Sequence, residues 1–257
     1  MLGVRNLVAH PIIVLKLLKF PDTYGSSSAA SSFVAIMFSV PVCFATYRLL
    51  YMQGSFDNIG TRMSAFSDEW NELTSTTLVY TCAYMIQDTL MMIRDEIRYE
   101  SDDPYLHSYL LHHAGCLIYL SMVHYYSAGA YGVMVLIFMG EVTNPVQNLI
   151  NICHQGIKGG KSWPRAVLRV VNPIFGLFFA VVRLVVAPLY AGVFTHELIV
   201  KKYRGEGASD VPIWVGMLWC TLIWLTIRGS LPFAIEKLRD GGFFFWEKGE
   251  KKVEKSS

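Results

Sequence analysis

The chain has 257 residues, of which 53% are hydrophobic and 16% are charged. Soluble domains carry roughly 25% charged residues, so this composition and a mean hydropathy of +0.37 exclude most soluble classes and predict a membrane protein. The formal net charge of +2 and the pI of about 8.2 exclude a nucleic-acid-binding domain, for which clustered Lys and Arg and a pI above ~9 are typical.

The amino-terminal region contains a short apolar stretch over residues 7–20. Charged residues and a proline interrupt this stretch, and it lacks a convincing cleavage site, so we do not expect a signal peptide. Its mixture of basic and apolar positions favours an amphipathic helix on the membrane surface. We therefore assign residues 1–31 to a cytosolic, interfacial segment.

Six apolar stretches follow, each long enough for a helix that crosses about 30 Å of hydrocarbon, which takes about 20 residues. The fifth contains Pro173 and Pro188 and is expected to be kinked or tilted. The sequence therefore predicts an all-α, polytopic protein with six transmembrane helices, the first of which, with its loop, occupies residues 32–61. The predicted spans are residues 33–52, 74–93, 106–126, 129–150, 170–194 and 211–227.

Basic charge and tryptophan mark the membrane boundaries. With both termini in the cytosol, most Lys and Arg residues outside the spans lie on the cytosolic side, as the positive-inside rule requires. Residues 236–257 are polar and rich in Lys and Glu towards their end, which predicts a disordered cytosolic tail. Tryptophans near span ends are expected to act as interfacial anchors; these are Trp70, Trp163, Trp214 and Trp246.

Ionisable side chains inside the predicted spans are the most informative feature of the sequence. A charge at the bilayer centre costs about 2.5–3.5 kcal/mol even on the gentlest scale, so such a side chain usually faces a cavity or a partner. From the rise of a helix, four of them lie at similar depths, about 8–14 Å from the cytosolic end of their spans. We therefore predict one shared polar cavity that faces the cytosol. The four are Asp88, His112, His113 and Glu141; His124 and Arg183 complete the intramembrane set.

Helical periodicity sorts the polar side chains of these spans into faces. Glu141 shares a face with asparagines three and seven residues further on, and Arg183 on the next span can reach Glu141 as a buried ion pair. Asp88 and Arg183 have an alternative role, in which they only fix contacts between helices. Side chains near the ionisable groups are assigned to the cavity lining; these are Tyr84, Cys116, Asn144, Asn148 and Arg183.

The chemistry open to such a cavity is limited. An imidazole acts as a general base or as an acyl-accepting nucleophile at neutral pH, and a carboxylate can orient it. His112 and His113 are therefore the candidate base and nucleophile, with Asp88 and Glu141 as candidate orienting groups. Adjacent histidines cannot coordinate one ion from the same helical face, so no metal site is predicted.

Three short runs together resemble the TLC domain, the family of ceramide synthases, translocating-chain-associating membrane proteins and smaller TLC-domain proteins. They are DPY at residues 103–105, LHHA at 111–114 and EVTNPVQN at 141–148. The resemblance covers roughly residues 62–235. It implies a six-helix bundle around a lipid-sized cavity, in the endoplasmic reticulum or the Golgi.

In ceramide synthases the paired histidines are needed to transfer an acyl group from acyl-coenzyme A to a sphingoid amine, and the matching residues here are His112 and His113. Those enzymes carry two aspartates three residues apart on the following helix, whereas this chain has Glu141 and Asn144. The E-x-T-N-P form and the short chain are more similar to the small TLC-domain proteins, whose proposed roles concern membrane-lipid composition.

The resemblance leaves three functions open. The first is a protein that binds or modifies membrane lipid, sphingolipid or phospholipid, and influences lipid composition without a required cofactor. The second is an N-acyltransferase that uses acyl-coenzyme A as co-substrate and the paired histidines as catalytic groups. The third is a transporter or channel, which is disfavoured because no matching pair of broken helices marks an inverted repeat.

Overall fold

The computed structural model describes residues 23–53, 56–100, 106–206 and 209–242, and these residues are mainly helical and form no strand. The predicted all-α fold is confirmed. Two 3₁₀ turns precede α2, and two π-helical segments, Val181–Val186 and His196–Val200, join α6, α7 and α8 into one continuous rod. The α-helices are α1 Tyr24–Met52, α2 Asp68–Tyr99, α3 Leu106–Tyr126, α4 Ala130–Glu141, α5 Asn144–Lys158, α6 Trp163–Ala180, α7 Ala187–Thr195, α8 Lys201–Arg204 and α9 Ile213–Asp240.

Each predicted span lies largely within one helical rod, with α4 and α5 forming the fourth and α6 to α8 the fifth. Among the described residues, four rods are long and apolar enough to cross a membrane. This number supports four of the six predicted spans. The helices α2 and α3 do not reach that hydropathy, because α2 carries many charged and hydroxyl side chains and α3 carries four histidines. The four rods are Tyr24–Met52, Ala130–Lys158, Trp163–Arg204 and Ile213–Asp240.

The first helix begins nine residues before the predicted start of the first span. Thr23 is its N-cap, and the Thr23 Oγ1 accepts a hydrogen bond from the backbone N–H of Ser26 (3.3 Å). Residues 24–31, which were predicted to belong to the interfacial segment, form the first two turns of α1. Most of their side chains are small, which lowers the apolar signal in the sequence but does not prevent a helix. The predicted surface helix over residues 7–20 lies outside the described residues, as do the run at residues 103–105 and most of the polar tail.

A hydrogen bond from Ser27 to a buried, ion-paired aspartate joins the beginning of α1 to the end of α2. The Oγ of Ser27 donates to Asp95 Oδ2 (2.7 Å), and Arg94 Nη1 lies 2.6 Å from Asp95 Oδ1. Asp95 is buried, and its two oxygens each have a partner of the right polarity. This contact fixes α1 against α2 at one end of the bundle, which we call the terminal end.

The helices α5 and α9 also finish at the terminal end. Gln155 Nε2 of α5 donates to Ser28 Oγ of α1 (3.5 Å). His154, beside it on α5, interacts electrostatically with Lys237 near the end of α9. The first and last described residues therefore lie at the same end of the bundle, as an even number of antiparallel rods requires.

Three loops meet at the opposite end of the bundle. Met63 N donates to Ser127 O (2.8 Å), and Asp210 N donates to Gly60 O (3.1 Å). These bonds connect the loop after α1, the loop after α3 and the loop before α9. They hold the rods together where their connections are short.

Trp70 is a core residue, and its predicted role as an interfacial anchor is wrong. The side chain is fully buried, its ring stacks on Phe66 with centroids 4.0 Å apart, and Nε1 donates to Leu49 O (3.2 Å). The N–H that would serve a headgroup is used by the carbonyl near the end of α1 instead. Trp163 and Trp214 are more than half exposed, as an interfacial role requires.

Gly176 marks a close approach between α6 and α9. A Cβ at this position would lie 2.5 Å from the carbonyl oxygen of Lys237, which is backbone and cannot rotate away. A glycine therefore lets the two helices pack with their backbones in contact, as small residues do in membrane bundles.

Replacing Gly176 with Ala is expected to lower the free energy of unfolding by about 1–3 kcal/mol, because the helices must separate to admit the methyl group. Denaturant unfolding of the purified protein in detergent micelles measures this. Gly192→Ala, on the same rod, is the control, because a Cβ there has nothing within 4 Å. It should leave stability equal or slightly higher, since Ala is the better helix former. Equal losses for both variants would contradict the close approach.

Candidate functional site

The fourth predicted span is broken at its polar face. The helix α4 ends at Glu141 and α5 begins at Asn144, because Pro145 has no N–H to donate to the Glu141 carbonyl. Asn144 Nδ2 donates to Glu141 Oε2 (2.9 Å), so the carboxylate is held across the break. The break also makes the backbone carbonyl of Gly140 available to other helices.

Arg183 fills that position from the neighbouring rod. Its Nη2 donates to Gly140 O (3.2 Å), and its guanidinium lies over the ring of Phe179, 5.3 Å from the ring centre. Arg183 lies in the π-helical segment Val181–Val186, a geometry often found at functional sites. The sequence predicts that Arg183 reaches Glu141. The guanidinium donates its hydrogen bond to Gly140, the residue before Glu141, and interacts with the Glu141 carboxylate electrostatically.

His113 contacts α2 through both ring nitrogens. Its Nδ1 lies 3.0 Å from Thr89 Oγ1, and its Nε2 lies 3.8 Å from Asp88 Oδ2. The side chains of His113 and Asp88 are 12% and 25% exposed, so the pair is largely shielded. The structure thus brings together one predicted histidine and one predicted orienting carboxylate.

His112 points elsewhere, as adjacent helical positions must. Its ring centre is 5.9 Å from that of His113, and Cys116 Sγ lies 3.7 Å from its Nε2. His112 also interacts electrostatically with Arg183. The two imidazoles therefore have different neighbours. His113 contacts α2, whereas His112 lies near Cys116 on its own helix and interacts with Arg183 of the π-helical segment.

These groups form one polar cluster. Glu141 interacts electrostatically with Asp88 and Arg183, and Tyr84 interacts with both carboxylates. We define the polar cluster by the residues that carry these contacts on α2, α3, α4, the first residue of α5 and the rod that follows α5. They are Asp88, Thr89, His112, His113, Cys116, Gly140, Glu141, Asn144 and Arg183.

Two predicted lining residues are engaged in other contacts. Asn148 Nδ2 donates to the carbonyl of Asn144 (2.9 Å), which ties the side chain to its own helix. Tyr84 stacks on Phe38, with ring centres 3.7 Å apart. Both lie beside the polar cluster, but their strongest contacts are structural.

Two atoms near the break are buried and have no hydrogen-bond partner in the structure. They are Arg183 Nε, a donor, and Gln147 Oε1, an acceptor on α5. Unpaired buried polar atoms are costly and uncommon, so each calls for an explanation. An acceptor would satisfy Arg183 Nε, and a donor would satisfy Gln147 Oε1.

Thr89, Gly140 and Gln147 were not predicted from the sequence. A threonine inside a helix usually bonds its own preceding turn, so nothing in the sequence marks Thr89 as a neighbour of His113. Gly140 contributes only a backbone atom. Gln147 is three residues after Asn144, and a wider count of the polar stripe on α5 would have included it.

The sequence model that describes the TLC domain matches residues 28–228, a segment that contains the whole polar cluster. The chain belongs to the TLC domain family. This TLC domain protein is also 22% identical, over 207 residues, to a TLC domain-containing protein of Arabidopsis thaliana. The aligned segment covers 79% of this chain and 73% of that relative. No solved structure matches this chain significantly. The resemblance inferred from the histidine pair and the E-x-T-N-P run is therefore confirmed.

Proposed function

We propose that this TLC domain protein binds a membrane lipid at the polar cluster and thereby influences lipid composition. The observation that carries the proposal is the convergence of titratable side chains from four helical segments inside a bundle with an apolar exterior. Large apolar side chains such as Phe44, Leu111 and Leu189 are exposed on that exterior, where hydrocarbon would cover them. Ionisable groups are costly in such surroundings, so those that persist there usually face a cavity or a partner and mark a functional site.

The proposal also includes the number of spans, the orientation and the cavity that the sequence predicts. The bundle crosses the membrane six times, both termini are cytosolic, and the polar cluster faces a cavity open to the cytosol. The ligand is a sphingolipid or phospholipid of the endoplasmic reticulum or Golgi. Its polar head satisfies Arg183 Nε and Gln147 Oε1, and its chains lie along the apolar surface between the helices.

Photocrosslinking tests lipid binding. Purified protein in nanodiscs is labelled with a diazirine-bearing sphingosine analogue and, separately, a diazirine-bearing phospholipid, and the labelled peptides are sequenced. We expect saturable labelling of peptides from Leu106–Tyr126 and Ala130–Glu141, abolished by excess unlabelled lipid of one class. Labelling that is uniform over the helices and resists competition would contradict a site.

A second candidate function is acyl transfer from acyl-coenzyme A to a lipid amine. The 3.8 Å contact between His113 Nε2 and Asp88 Oδ2 supports it, because it places a candidate base beside a carboxylate in a shielded site. In this reading His113 or His112 is the base or nucleophile, and Asp88 or Glu141 is the orienting group.

Acyl transfer is measured with radiolabelled acyl-coenzyme A and a panel of long-chain amines. If the second function holds, His113→Ala is expected to lower the rate by about 100-fold or more, the usual contribution of a general base. His124→Ala is the matched control, because His124 lies on the same helix and is exposed. Wild-type protein that retains lipid without turnover would favour the first function over the second.

A further inference from the structure

The hydrogen bonds around Thr89 determine which nitrogen of His113 carries the proton. Thr89 Oγ1 lies 2.7 Å from the carbonyl of Met85 and donates to it. A hydroxyl has one hydrogen, so towards His113 Nδ1, 3.0 Å away, Thr89 Oγ1 can only accept. Nδ1 is therefore the donor and carries the proton of the neutral ring.

The other nitrogen then faces an acceptor with a lone pair. In neutral His113 the Nε2 is unprotonated, and the atom opposite it is Asp88 Oδ2, at 3.8 Å. Two acceptors do not bond each other, and 3.8 Å is beyond hydrogen-bond distance. No atom fits on the line between two groups at this distance, so a donor reaches them only from the side. A ligand O–H or N–H can donate to the Nε2 lone pair, and an amine, which has more than one hydrogen, can donate to Asp88 as well.

We infer that Thr89 is a positioning residue that holds the Nε2 lone pair of His113 towards Asp88, so that the bound ligand must present a hydrogen-bond donor at that point. The inference rests on the proposed lipid site and narrows its ligand to lipids with a free hydroxyl or amine. A head group that lacks such a donor leaves the Nε2 lone pair unpaired, which a buried site penalises.

Nitrogen NMR of the purified protein with ¹⁵N-labelled histidine tests the tautomer without any lipid. We expect wild-type His113 to carry its proton on Nδ1. In Thr89→Val the acceptor is lost at nearly constant volume, so the proton should move to Nε2, where it faces the Asp88 carboxylate. Thr89→Ser keeps the hydroxyl and should keep the wild-type tautomer. A wild-type ring protonated on Nε2, or a tautomer that Thr89→Val leaves unchanged, would overturn the inference.

Competition for the photocrosslinked site tests the ligand preference. A long-chain alcohol is expected to compete about five- to tenfold better than its methyl ether against wild type and Thr89→Ser, the value of about one hydrogen bond. Thr89→Val should reduce that ratio towards one. Equal competition by alcohol and ether in wild type would refute the donor requirement. If no lipid labels the site while the tautomer results hold, the proposed function fails and the placement of the proton by Thr89 stands.

Discussion

Replacing Arg183 with Met is expected to destabilise the protein by about 3–5 kcal/mol, the usual cost of leaving one member of a buried charged pair uncompensated. Two interactions disappear together. The Gly140 carbonyl at the helix break loses the donor that lies 3.2 Å away, and the buried Glu141 loses a nearby positive charge. The Met side chain keeps most of the apolar contact with Phe179. Denaturant unfolding in micelles measures the change.

The chain supplies a matched control for this variant. Arg48 pairs with Glu69 on the surface, where both side chains are 62% exposed. Exposed pairs contribute about 0–1 kcal/mol, so Arg48→Met should be nearly neutral. Adding Glu141→Gln to Arg183→Met should restore part of the lost stability, because it removes the uncompensated charge. Equal effects of Arg183→Met and Arg48→Met would show that Arg183 does not bind the helix break.

The second large effect is expected at Trp70. Trp70→Ala should lower the free energy of unfolding by about 3–5 kcal/mol, because it removes a fully buried indole and leaves a cavity between Phe66 and the end of α1. Trp70→Phe preserves most of the packing and loses only the hydrogen bond to Leu49 O, so a loss of about 1 kcal/mol is expected. Thermal unfolding followed by tryptophan fluorescence separates the two variants.

Trp163→Ala is the control for Trp70, since Trp163 is 56% exposed. Surface substitutions usually change stability by less than about 0.5 kcal/mol. In nanodiscs Trp163→Ala is therefore expected to unfold like the wild type. A Trp70→Ala variant that also unfolds like the wild type would return Trp70 to the interfacial role that the sequence predicts.

Local properties of the sequence were sufficient to predict much of this protein. Apolar stretches of about 20 residues located the helical rods. In hydrocarbon the backbone N–H and C=O groups must bond each other, and a helix does this within one continuous segment. The place where α4 and α5 separate also has a local cause, because Pro145 lacks the N–H that would continue the helix. The histidine pair with the E-x-T-N-P run identified the family, since both are short motifs read directly from the chain.

Other features were decided only by the tertiary structure, because they depend on atoms far apart in the chain. The burial of Trp70 requires a carbonyl 21 residues away, and the partner of Arg183 is a backbone oxygen 43 residues away. The proton position in His113 follows from Thr89, 24 residues earlier, and from the carbonyl that Thr89 already occupies. Hydropathy and periodicity describe the face that a residue occupies on its own helix. Which atoms meet that face is determined by the packing of the other helices.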